Sequence, residues 1–156
     1  MNDKTVLKNK VFNANPGELL VITYEGMFEA IDSAVEHNKN GNFEAFSEEL
    51  DRAIGFITEL FGALDFSMEI AQDLGSLYFF CRNHMLMAQT KNDVSYLNDV
   101  MKILRPLYEG FCEAVKSLQS TAESSAEVKG IVAGMTYGKG SLNEMVVGNE
   151  KKGFKA

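Results

Sequence analysis

The side chains most able to do chemistry are few. The chain has 156 residues and only two histidines, His37 and His84, with two cysteines, Cys81 and Cys112. Cys81 and His84 are three apart, so on a helix they share a face. A metal there needs at least one or two further ligands, and Cys112 joins them only if packing brings it in. A Cys–His nucleophilic pair also needs a third group to orient the base, and none is evident. A small buried thiol and a partly exposed imidazole account for the pair without chemistry. Glu25, Glu29, Asp32 and Glu36 recur along what reads as the first helix. A carboxylate-bridged di-iron bundle needs inward glutamates and Glu-x-x-His motifs, and the sequence has no Glu-x-x-His, so these acids are expected on a solvated face. The run Gly134-Met135-Thr136-Tyr137-Gly138-Lys139-Gly140-Ser141 faintly resembles a phosphate loop. Its spacing before Gly138-Lys139 is one short, a glycine separates Lys139 from Ser141, and no apolar strand precedes it. Catalysis, metal binding and nucleotide binding therefore have no adequate residue set, and no cofactor is expected.

Composition narrows the classes further. Fifteen Lys and Arg against 22 Asp and Glu give a formal charge of −7. Nucleic-acid binders carry basic stripes, and helices that lie on anionic membranes are cationic, so neither partner is expected. No apolar run approaches the roughly 20 residues that span a bilayer. The opening MNDKTVLKNK has no apolar signal core. Two cysteines are too few for a disulfide framework, and a reduced, cytoplasmic setting fits. Two prolines and no tryptophan, with abundant Leu, Met, Glu and Ala, favour helix.

The elements that must position any site are four helices over residues 15–120. Asn15-Pro16-Gly17-Glu18 carries an N-cap, a proline suited to the first turn and a glutamate placed for a capping box. Apolar residues follow at Leu20, Tyr24, Met27, Phe28, Ile31, Ala34 and Val35, a single stripe, until Asn38-Lys39-Asn40-Gly41 stops the helix. The second helix is expected from about Asn42 to Leu64 on Phe43, Phe46, Leu50, Ala53, Ile54, Ile57, Leu60, Phe61 and Leu64. The third is expected to start at Ser67, with Ile70, Leu74, Leu77, Tyr78, Cys81, Met85 and Ala88 inward. The fourth is expected from about Asp93 to Leu118, kinked at Pro106. Short connections predict an all-α, antiparallel up-down-up-down four-helix bundle. Residues 1–14 are expected to form an N-terminal arm, and residues 121–156 a flexible, glycine-rich tail. The charge divides with them. Residues 1–120 hold 10 Lys and Arg against 18 Asp and Glu, and residues 121–156 hold five against four.

The bundle has more apolar residues than its stripes need. Helices of such bundles bury about three positions in seven. Phe79, Phe80, Leu86 and Met87 lie off the third stripe, Phe56 off the second and Ile103 off the fourth. A domain this small cannot bury them all, and an exposed apolar groove for a partner helix is the natural use.

Four segments in order resemble one family. Asn15-Pro16-Gly17-Glu18-Leu19-Leu20-Val21-Ile22-Thr23-Tyr24-Glu25-Gly26 is similar to the opening of the flagellar secretion chaperone FliS family, which reads Pro-x-x-Leu-Leu/Ile and then Leu-Tyr-Asp-Gly. The resemblance continues through Ala53-Ile54-Gly55-Phe56-Ile57-Thr58-Glu59-Leu60 with Leu64-Asp65, through Glu69-Ile70-Ala71, Leu74 and Leu77-Tyr78, and from Val100 to Phe111. Thr23 and Glu25 stand where Leu and Asp are usual, Phe80 where Tyr is common, and Tyr108 and Phe111 where Arg and Trp are typical. The resemblance implies a cytoplasmic chaperone without enzymatic activity, as a monomer or weak homodimer. It would bind the disordered C-terminal segment of flagellin, prevent early polymerisation and aid delivery to a component of the flagellar export gate. Phe56, Phe61, Phe79, Phe80, Ile103 and Leu107 are the candidate contacts, chosen on spacing and surplus apolarity. A homo-oligomeric bundle, or a small metal- or ligand-binding bundle, is the alternative. Apolar residues in the arm (Val6, Leu7, Val11, Phe12) or the tail could fill the groove without client.

Overall fold

In a computed structural model of the chain the described residues are 16–120. They form four α-helices: α1, Pro16–Lys39; α2, Phe43–Gly62; α3, Glu69–Lys91; and α4, Ser95–Ser120. No strand occurs among the described residues. The arm and the tail, with the cap at Asn15, lie outside them.

The ends of the helices follow local chemistry. Asn42 caps α2, its side-chain oxygen accepting from Ala45 N–H at 3.2 Å. Gly41, at φ +76°, makes the preceding turn in a region open to glycine. Asn92, at φ 53°, ends α3 in the left-handed conformation that asparagine tolerates. Two expected starts are corrected. α3 begins at Glu69, not Ser67, because Asp65 Oδ1 accepts from both the backbone N–H and the hydroxyl of Ser67, which commits Ser67 to a turn. α4 begins at Ser95, two residues later than expected, because Asp93 Oδ1 takes the Ser95 N–H. The Ser95 hydroxyl, and after it the Ser95 backbone N–H, hold the Asp93 carboxyl below its ordinary range. α4 runs through the exposed Pro106 without a break.

Cross-helix contacts give the topology. Along α1 and α2 the pairs run in opposite order: Gly26 meets Phe56, Glu29 meets Arg52, and Ser33 meets Glu49. Along α1 and α4 they also oppose, from Glu18 with Gln119 to Glu25 with Tyr108 and Phe28 with Arg105. α1 and α3 run in the same order, with Tyr24 bonded to Tyr78 and Asn38 to Asn92. The N-terminal ends of α1 and α3 and the C-terminal ends of α2 and α4 therefore share one end of the bundle.

The core lies where the four stripes meet. Tyr24, Tyr78, Phe46, Met27, Ile31, Leu50, Ile57, Met85 and Leu104 are all but sealed from solvent. Three expected stripe residues are exposed instead. Phe43 and Ile70 each sit in the first turn of a helix, and Phe61 in the last turn of α2. At the centre, the Tyr24 and Tyr78 hydroxyls share a 2.7 Å hydrogen bond. The Tyr24 ring also meets Phe28, Tyr108 and Phe111 edge-on or tilted, at centroid distances from 5.5 to 6.3 Å. Burial drives both phenols well above the ordinary tyrosine pKa, so the pair stays neutral.

Candidate functional site

The chemistry-bearing side chains do not converge. Cys81 is fully buried, and burial pushes its thiol up to about 12, where no useful thiolate exists near neutral pH. His84 turns the other way. Its ring stacks on Phe80 at 4.0 Å, meets Tyr96 edge-on, and sets Nε2 3.7 Å from Asp99 Oδ2. Cys112 sits beside Tyr108 on α4, away from that pair. Among the described residues no three His, Cys, Asp or Glu side chains gather where a metal could be held.

The acids of α1 mostly face water, with one correction. Glu29 pairs with Arg52, and Glu36 with Lys39, as exposed ion pairs. Glu25 is half-buried and accepts from the Tyr108 hydroxyl at 2.7 Å. That bond, first among the causes, raises the Tyr108 pKa. The sequence places Glu25 on a solvated face because α4's tyrosine cannot be paired with it from spacing alone.

What the bundle does present is apolar surface. Phe79 is 57 % exposed, Phe66 45 %, Phe80 40 % and Phe61 38 %. Phe61 at the end of α2, Phe66 in the α2–α3 connection, and Gln72, Gly75, Ser76 and Phe79 on α3 line an open groove of about 390 Å³. The rings of Phe61 and Phe66 pack together at 5.5 Å. Gly75 allows this wall to form: a Cβ added there would lie 2.8 Å from Phe66 Cε1. Exposed phenylalanines on adjoining elements are costly to leave in water, since each forgoes, in proportion to its open fraction, part of the roughly 1.5–3 kcal/mol that full burial provides. Such a cluster is the mark of a partner surface.

The six candidate contacts divide by place. Phe61 and Phe79 lie in the groove. Phe80 follows Phe79 on the outer face of α3, over His84, and Met87 is exposed two turns further on. Phe56 is half-buried, its ring against Gly26 of α1. Ile103 and Leu107 are half-buried and pack on the core, on the face of α4 that carries Tyr96 toward α3. The structure therefore gathers Phe61 and Phe79, carries Phe80 alongside, and leaves the other three in helix seams. It adds Phe66, which sequence reasoning missed. The signal was its position off every stripe, in a connection where apolar residues are uncommon.

The matches to known proteins cover the same helices. The model of the family described as flagellar protein FliS matches residues 2–118. The flagellar secretion chaperone FliS of Bacillus subtilis (strain 168) is 26 % identical over 121 residues, which cover 78 % of this chain and 91 % of that protein. The protein of the same name in Vibrio cholerae serotype O1 (strain ATCC 39315 / El Tor Inaba N16961) is 30 % identical over 108 residues, 67 % of this chain and 78 % of that one. The order of motifs along α1 to α4 and the family match over three-quarters of the chain agree, and the chain belongs to the FliS family of flagellar proteins.

Proposed function

We propose that this protein is a cytoplasmic flagellar secretion chaperone. It binds the C-terminal segment of newly made flagellin through the apolar surface of α2 and α3, keeps that segment from polymerising, and helps deliver it to a component of the export gate. It acts by binding alone, without a catalytic step or a cofactor, as a monomer or weak homodimer. The observation that carries the reading is the Phe61–Phe66–Phe79 groove on a bundle of this family. The chaperone names of its relatives support it. Among the described residues no helix is long and apolar enough to cross a membrane. A disordered client must offset its ordering cost by apolar burial, and a row of open phenylalanines on rigid helices offers that burial.

Titration calorimetry with a peptide of the last 40 or so residues of the same cell's flagellin tests the reading. Saturable one-to-one binding with a strongly negative heat-capacity change is expected. Absence of binding by the folded protein overturns it.

A further inference from the structure

The groove has a marked charge environment. Residues 53–81, which supply its whole lining, contain four acids (Glu59, Asp65, Glu69 and Asp73) and no Lys, Arg or His, although Arg82 follows three residues past Phe79. Glu69 and Asp73 stand on the outer face of α3, a turn from Gln72 and Ser76 in the lining. Neither is in an ion pair among the described residues. An apolar segment carrying cations and no acids fits such a groove better than an acidic one.

The chain contains such a segment. Residues 128–142 hold Val128, Ile131, Val132, Met135, Tyr137 and Leu142 with Lys129 and Lys139, and no acid, although Glu127 and Glu144 bound them closely. They belong to the 36 residues that follow α4, beyond the family match, which ends at 118. The bundle delivers that tail to the right place. Gln119 bonds Glu18, so α4 ends at the N-terminal end of α1. The Tyr24–Tyr78 and Asn38–Asn92 bonds share one offset of 54 residues, which sets the start of α3 level with the start of α1. The groove therefore opens at the end of the bundle where α4 stops. Reaching it from α4 means passing α3, one to two helix widths, or about 10–20 Å. Ile131 stands 11 residues past Ser120, and a flexible chain of that length spans about 18 Å on average.

We propose that residues 128–142 of this chain's own tail dock in the groove between Phe61, Phe66 and Phe79 and occupy it until client displaces them. The displacement rests on the client-binding reading above; the docking does not. Two or three anchored apolar side chains give an affinity of about 0.1 mM. A short tether supplies an effective concentration on the order of 1 mM. The tail then weakens client binding about tenfold.

A nitroxide on Asn83→Cys, an exposed position on α3 one turn past Phe79, tests the docking in the full chain. Cys112→Ser removes the accessible native thiol, and buried Cys81 does not react. Selective broadening of the amide signals of residues 128–142, relieved by Phe79→Glu, is expected. Broadening of residues 1–14 in their place makes the arm the occupant and overturns the proposal. So does tail broadening that appears only between labelled and unlabelled copies, and so does no broadening at all. In the same full chain, replacing Ile131, Val132 and Met135 with Ser is expected to raise affinity for the flagellin peptide about tenfold. Unchanged affinity overturns the competition. A peptide that binds neither chain overturns the client reading alone, and the broadening still decides the docking.

Discussion

Phe79→Ala separates the groove from the core. Phe79 is the most exposed large apolar side chain described, at 57 %. Its ring contributes to folding only through the part already covered. A client that seals it gains the remainder. Full burial of a Phe-sized side chain is worth roughly 1.5–3 kcal/mol, so the open 57 % is worth about 1–2 kcal/mol on binding. Truncation to alanine then weakens the flagellin peptide about 5- to 30-fold. The urea midpoint should shift little, because surface truncations of this kind are usually within about 0.5 kcal/mol. The assay is calorimetric titration with one peptide, beside urea unfolding, of the chain with and without Phe79→Ala, both carrying Ser in place of Ile131, Val132 and Met135 so that a tail resting on the same ring does not mask the loss. Phe56→Ala supplies the contrast. That ring is half-buried against Gly26 between α1 and α2, so its loss should lower stability more than it lowers affinity. If Phe79→Ala binds the peptide as tightly as the chain that keeps Phe79, client does not use the groove. If it melts the bundle, the exposed ring is doing structural work and the partition argued here fails.

The central tyrosines give a stability test. Tyr24→Phe leaves the Tyr78 hydroxyl buried without its 2.7 Å partner, and Tyr78→Phe does the converse. Each should cost about 1–3 kcal/mol, while the double variant should cost clearly less than their sum; additive losses in urea unfolding would show that the two hydroxyls are not coupled. Alkaline stability follows from the same groups. Tyr24, Tyr78 and Tyr108 all have folded pKa values raised above the usual 10.0. Their contribution is complete below pH 10 and is lost as pH rises above it, because the unfolded chain then releases protons that the folded chain retains. The unfolding midpoint should therefore fall above about pH 10, and Tyr24→Phe with Tyr78→Phe should flatten that fall. Gly75→Ala should act on the groove and not on the fold. Alanine favours helix over glycine by about 1 kcal/mol, and the new Cβ would displace the exposed Phe66 ring that it meets at 2.8 Å; peptide binding should weaken with stability unchanged or higher, and unchanged binding would mean that Phe66 is not a wall client uses.

How far the sequence carries depends on the distance over which each feature is decided. Helix existence is decided over a few turns, and all four helices follow from stripes such as Leu20–Tyr24–Met27–Ile31. The stop at Asn38-Lys39-Asn40-Gly41 and the start of the second helix near Asn42 are decided by one or two residues and are equally legible. The starts of α3 and α4 shift because Asp65 and Asp93 compete for the serines that follow them, a contest between two turn-formers that spacing does not settle. The groove is decided across elements. Phe79 is visible as apolar surplus and Phe61 as the end of an inward stripe, but their meeting depends on how α2 lies against α3. Ile103 and Leu107 look the same in sequence, yet they fall in the seam toward α3 and are half-covered.

Phe66 shows why the missing piece was missing. Periodicity assigns residues only within helices, and Phe66 belongs to none. Its place is set by a different residue, Gly75, whose lack of a side chain lets the ring lie on α3. A glycine inside a helix normally costs stability. Gly26 is used in the same way at the α1–α2 seam, where a Cβ would fall 2.9 Å from the Phe56 ring. The two close approaches differ in what they leave open. At Gly26 the phenylalanine is tucked between helices and closes a seam. At Gly75 it lies at the surface beside Phe61 and widens an apolar wall that nothing in the bundle covers. A core-building glycine and a site-building glycine are thus indistinguishable in sequence and are told apart by the exposure of the ring that each admits. The same criterion assigns Phe56 to the fold and Phe66 to the groove.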